Sequence, residues 1–205
     1  KGSIDPGEMN MFALSRYAWL VMIGFLVTVA HLHADERFTD STEVAFVDNG
    51  RINIRLTAGE HTITESSDNK IRVSWHVEDE DIREVDAHTE VNGSTARIDV
   101  DGPKKNFRTV IEVPRRSDLV VRLSAGELDI GPIEGDKDIR LRAGDLDIEV
   151  AKIDEYGEVR GSLWAGDINA GPFSQQSSGL FRSVEWEGNG DHSLYFKLYA
   201  GDVNI

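Results

Sequence analysis

Five times along this chain an acidic residue directly follows an Ala-Gly pair: Glu60, Glu127, Asp145, Asp167 and Asp202. Two residues further on stand Asp129 and Asp147, with Asn169 and Asn204 at the same place in later copies. Carboxylate and amide oxygens repeated at a fixed offset are the donors a hard cation takes, and Ca²⁺ is the ion that suits them. Asp129, Asp145, Asp147 and Asp167 are the candidate ligands, provided the copies stack in register. Rungs of such a stack lie ~4.8 Å apart, and like charges at that distance repel by ~1 kcal/mol in water. The column then needs a bound cation, a neighbouring base or open solvent. Bases are at hand, because Arg55, Arg122, Arg140 and Lys197 precede the leucine of successive copies, with Ser162 the exception. Charges that merely keep a strand face soluble and block edge pairing satisfy the same pattern without an ion. The dense glycine-aspartate nonapeptides of calcium-binding repeats are absent.

Other reactive types are sparse. Asp191, His192 and Ser193 are adjacent, but a hydrolytic triad must converge in space and neighbours in a strand point alternately away. There is no G-x-S-x-G elbow, H-E-x-x-H helix or phosphate loop. His31 and His33 would chelate copper only if the chain began at His31. His61, His76, His88 and His192 show no ligand spacing, and His61 reads as a half-exposed strand residue in the most degenerate copy. The sequence contains no cysteine, so disulfides, a thiol nucleophile and Cys-based zinc sites are excluded. One outward position carries Thr57, Ser124, Arg142, Trp164 and Tyr199 in successive copies. Trp164 and Tyr199 would make a platform for a sugar or another chain. Packing beneath the segment 171–191, with its Phe173, Phe181 and Trp186, is the more ordinary fate of such rings.

The elements that position these residues are strands. The copies share the frame L-x-A-G-acid-apolar-x-apolar: "LTAGEHTI" (56–63), "LSAGELDI" (123–130), "LRAGDLDI" (141–148), "LWAGDINA" (163–170) and "LYAGDVNI" (198–205). Their glycines are Gly59, Gly126, Gly144, Gly166 and Gly201, the middle three 18 and 22 residues apart. Strict alternation dominates after residue 40, as in Ile71-Val73-Trp75-Val77 and Leu119-Val121-Leu123, and marks half-buried strands. Within each frame the alternation changes step at the glycine. A one-residue slip turns every later side chain to the other face unless the backbone absorbs it, and glycine absorbs it through a positive φ. Each Ala-Gly is therefore a bulge or a corner. The expected fold is all-β, a single-domain β-solenoid (right-handed β-helix-like) with stacked corners. An antiparallel β-sandwich with bulged strands is the alternative. The segment 171–191 reads as an insertion or slack coil. The frame that runs to residue 205 reads as an uncapped last coil, which points either to association of copies of the chain through terminal strands or to further sequence downstream.

The chain has 205 residues and a formal net charge of −15, which argues against nucleic acid and anionic lipid as partners. Residues 17–30, "YAWLVMIGFLVTVA", follow Arg16 and precede small residues at Ala30 and Ala34, as in a secretory signal; a retained anchor is the rival reading. Both put the remainder outside the cytoplasm. The expected division is residues 1–34 as N-terminal extension with signal or anchor, and 35–205 as one β-repeat domain. The latter has a less regular part at about 40–118 and tandem repeats at about 119–205. Membrane contact is expected only through the N-terminal segment.

Residues 106–150, with the strand "VIEVP" (110–114) followed by tandem strands ending in A-G-acid-apolar, resemble the bacterial putative-adhesin repeat family. The resemblance spans roughly residues 45–205. It implies an envelope location and a β-helix-like architecture, and it supplies no catalytic residue. The leading function is a non-enzymatic, adhesin-like module that presents a surface to an envelope protein or glycan. The alternatives are an anchored accessory in envelope stress signalling and a polysaccharide-active enzyme, which would need paired carboxylates in a groove.

Overall fold

The computed structural model describes residues 40–77 and 85–205. The apolar run at 17–30, His31 and His33, and most of the charged connection 78–86 lie outside the described residues. The strands are β1 (Asp40–Ala45), β2 (Gly50–Ser66), β3 (Lys70–Val77), β4 (Asp86–Asn92), β5 (Thr95–Asp101), β6 (Phe107–Pro114) and β7 (Ser117–Ile130). They continue as β8 (Lys137–Ala143), β9 (Leu146–Ile148), β10 (Tyr156–Ala170), β11 (Gln175–Glu187), β12 (His192–Ala200) and β13 (Val203–Asn204). The alternation read from the sequence is the alternation of burial. In β3 every second residue, Ile71, Val73, Trp75 and Val77, is buried.

The frames stack in parallel and in register. Leu56 pairs with Leu123, Leu123 with Leu141, Leu141 with Leu198 and Leu198 with Leu163, a leucine column along the core. Beside it run Ile54, Val121, Ile139, Phe196 and Gly161. Gly161 ends this column because the buried Phe196 ring occupies the space of its missing side chain; a Cβ there would lie 1.8 Å from the ring. Aliphatic columns facing one another at close packing are what hold this cysteine-free fold together.

The solenoid expectation is overturned by the pairing order. A solenoid lays each coil on its predecessor, whereas here the hydrogen-bonded order is β2-β7-β8-β12-β10, so the last frame is inserted between the third and the fourth. The circuit β7-β8-β12-β10-β13-β9 returns to β7 and closes a six-strand parallel barrel, with the remaining strands outside it. It closes because β7 and β10 are long enough to pair on both sides of their glycines. β7 takes β8 and then β9, and β10 takes β12 and then β13. The sandwich alternative fails as well, since the five frames are mutually parallel. Antiparallel pairing is confined to the periphery, where β1 and β6 flank β3, β4 lies on β5 and β11 lies on β10.

Two further expectations are corrected. Residues 175–187 are no slack coil but β11, paired with β10 along nearly its whole length. The last frame is not an exposed end, because β12 and β13 have partners on both sides. Among the described residues, the open edges are those of β1, β4 and β11.

The change of step does sit at the glycines. All five have φ between +119° and +146°, a region that residues with a side chain rarely adopt. They form a column in the spatial order Gly59, Gly126, Gly144, Gly201, Gly166. From Gly126 onward, a Cβ would fall 1.8–1.9 Å from the carbonyl oxygen of the glycine before it in the column. No side chain fits between such rungs, so glycine is required twice over.

Candidate binding face

Register carries the outward residues into columns too. On the face before the corner, Arg55, Arg122, Arg140 and Lys197 are consecutive neighbours across β2, β7, β8 and β12, and Ser162 of β10 follows. Two residues along each strand lies the second column, Thr57, Ser124, Arg142, Tyr199 and Trp164. Asp138 takes the guanidinium of Arg122 at 2.9 Å and that of Arg140 at 3.3 Å. Arg160 pairs with Glu158, whose other oxygen accepts the Tyr195 hydroxyl. Arg55 reaches Asp99 only at 3.9 Å.

Trp164 and Tyr199 are not covered by the segment 171–191. Their rings stack at 4.8 Å and 12°, and Phe181 meets Trp164 edge-on at 5.8 Å. Trp164 is 41% exposed, Tyr199 58% and Phe181 73%, so the three form an aromatic ridge in contact with solvent. The other rings of the segment do find cover: Phe173 is buried against Tyr156 and Trp186. Phe181 has a positive φ of +55°, although the pairing of β11 with β10 keeps one register on both sides of it. Beside the ridge lies a depression of about 460 Å³ walled by Tyr199 and by five cationic side chains, Arg55, Arg122, Arg140, Arg142 and Lys197.

Beyond the corner the acids form the expected columns. Asp129 pairs with Asp147, Asp147 with Asn204 and Asn204 with Asn169. Burial, followed by the charges of Asp147 and Glu60, pushes the Asp129 carboxyl up. Of the acids directly after the glycines, Glu60 pairs with Arg108 at 2.7 Å, while Asp145 and Asp202 serve the backbone. The Asp145 carboxylate accepts the Asp202 N–H at 2.9 Å, and that of Asp202 accepts the Asp167 N–H at 3.0 Å, each binding one rung to the next. Among the described residues no three His, Cys, Asp or Glu side chains are grouped to hold a metal ion. Asp191, His192 and Ser193 do not converge as a triad: the Ser193 hydroxyl and N–H both donate to Asp136.

Two titratable groups lie where alternation points but charge does not belong. His61, expected half-exposed, is buried in an aliphatic column beside Leu128 and opposite Thr109. Neither ring nitrogen has a hydrogen-bond partner, and burial pulls its pKa down to about 4. Its inward phase in "LTAGEHTI" was the available signal, since Leu128, Leu146 and Ile168 hold the same place. Lys137 is buried between Leu119 and Leu194, and its ammonium donates to the carbonyls of Ile133 and Gly135 and to the Tyr156 hydroxyl. Burial lowers the Lys137 pKa to about 8 and raises that of Tyr156 to about 12. Sequence reasoning passed over Lys137 because it opens β8 after the polar turn "EGD" and reads as part of that turn.

No family model and no curated protein matches the sequence. Among solved structures, a putative cell adhesion protein from Clostridium sporogenes aligns over 81% of this chain and 98% of its own, at 14% identity and TM-score 0.49. A putative adhesin from Bacteroides fragilis aligns over 81% and 96%, at 11% identity and TM-score 0.28. Another, from Parabacteroides merdae, aligns over 54% and 57%, at 10% identity and TM-score 0.27.

Proposed function

We propose that this chain is a non-enzymatic, adhesin-like module that acts outside the cytoplasm and holds a glycan of the cell envelope against the outward face of β8, β12 and β10. The observation that carries this reading is the aromatic ridge. Three large rings, with Trp164 in contact with both others, left in water on a surface otherwise rich in charge, are what an interaction site presents. Aromatic side chains offer large, rigid contact area to a partner. The apolar run at 17–30 supports export, and the adhesin names of the structural neighbours agree with a surface role. Affinity electrophoresis of the purified chain through gels loaded with soluble polysaccharides tests the reading. The wild-type chain is retarded in at least one gel, and the double variant Trp164→Ala/Tyr199→Ala runs unretarded. Equal migration of the two in every gel removes the ridge from the function.

A further inference from the structure

We infer that the ligand is an acidic polysaccharide, with uronate carboxylates seated among Arg140, Arg142 and Lys197 while a sugar ring packs on Tyr199. This rests on the glycan-binding reading above and adds the ligand's charge and its place. The chain is strongly acidic overall, at −15, yet the depression beside Tyr199 is lined by five cationic side chains and no carboxylate. Parallel in-register pairing puts Arg122, Arg140 and Lys197 on consecutive rungs about 4.8 Å apart, so these cations repel one another. The protein relieves only part of that repulsion. Arg122 and Arg140 share the single carboxylate of Asp138, whereas the side chains of Arg142 and Lys197 make no hydrogen bond or ion pair among the described residues. Two exposed, unpaired cations beside a half-neutralised pair are complementary to a partner that brings several negative charges. Four of the five cations are arginines, whose planar forks match carboxylates two bonds at a time.

The aromatic wall selects a sugar among polyanions. Trp164 stacks behind Tyr199, and Tyr199 lines the depression together with the cations, so an aromatic ring stands beside positive charge in a lining that also includes Ser124 and Leu198. A pyranose has an apolar ring face and outward acidic groups, and such a pairing of surfaces satisfies both. The first column runs across the strands, so an extended chain lying along it meets a new cation at each rung from β2 to β12.

The test measures binding of the full chain to polygalacturonate, to neutral dextran and to an oligothymidylate, at low and moderate salt. Polygalacturonate is expected to bind at least about tenfold tighter than dextran, with affinity that falls as salt rises. The double variant Arg142→Glu/Lys197→Glu is expected to lose that preference by at least about tenfold. Both residues are exposed and unpaired, so its melting temperature should match the wild type, and this measurement separates lost binding from lost folding. Dextran bound as tightly as polygalacturonate overturns the acidic ligand but leaves the glycan reading standing. Oligothymidylate bound equally well overturns it too, because charge alone would then suffice. Undiminished binding of every polysaccharide by Trp164→Ala/Tyr199→Ala overturns the underlying reading itself.

Discussion

Replacing Gly144 with alanine tests the stacked column directly. Gly144 has φ +119°, which a residue with a Cβ adopts only at a cost of about 1–3 kcal/mol. The added Cβ would also lie 1.8 Å from the Gly126 carbonyl oxygen. Backbone cannot yield as a flexible side chain does, so the rung must shift. The bonds at stake are Asp145 N–H to the Gly126 carbonyl at 3.1 Å and Gly144 N–H to the Ala200 carbonyl at 2.9 Å, each contributing about 1 kcal/mol. The total is about 3–5 kcal/mol, a large share of the ~5–15 kcal/mol that holds a domain folded. Two other glycines calibrate it. Gly93 has φ +59° with nothing within 4 Å of a Cβ, so alanine there costs the backbone strain alone, about 1–2 kcal/mol. At Gly59, φ +146°, the nearest contact is the Phe107 carbonyl oxygen at 2.6 Å, an intermediate clash. Urea unfolding of the three variants, read at constant m, should rank the losses Gly93→Ala, Gly59→Ala, Gly144→Ala in increasing order. Should Gly144→Ala fail to fold, the Gly93 and Gly59 variants still give the order. A Gly144→Ala loss no greater than that of Gly93→Ala would refute the account of the column.

Two further perturbations follow from buried positions. His61 has its pKa lowered by burial from 6.5 to about 4, so the folded state disfavours the proton that the unfolded chain accepts. Its stability contribution is intact above pH 6.5 and is lost as pH falls toward 4, by about 3 kcal/mol in all. His61→Leu, which continues the aliphatic column, should therefore gain over the wild type as pH drops from 7 to 4. The carboxylates titrate in both proteins and cancel in the difference, so parallel stability–pH profiles would contradict the burial of an unpartnered imidazole. Gly161→Ala should cost about 1–3 kcal/mol by thermal melting, because its Cβ would lie 1.8 Å from the buried Phe196 ring. Adding Phe196→Leu should recover much of that loss, whereas simple additivity in the double-mutant cycle would show that the ring is not the obstacle.

Much of this architecture is local and was readable in the chain. Alternation reports which side of a strand a residue occupies, and a break in alternation at a glycine reports a backbone that must enter positive φ. Both are properties of a few consecutive residues. The all-β class, the five equivalent glycines and the alignment of Arg55, Arg122, Arg140 and Lys197 into one column follow from the repeated frame together with parallel pairing. The order of the rungs does not. Every L-x-A-G strand offers its neighbours nearly the same leucine, the same small corner and the same polar outer face, so the frames are interchangeable as partners when judged locally. Only the whole set of pairings puts Gly201 between Gly144 and Gly166 and lets β7 and β10 close the circuit. That order in turn sets Tyr199 against Trp164 and brings Arg142 beside Tyr199, because residues 57 positions apart become neighbours only when β12 enters between β8 and β10. The burial of His61 and Lys137 was decided in the same way, by the columns their strands joined.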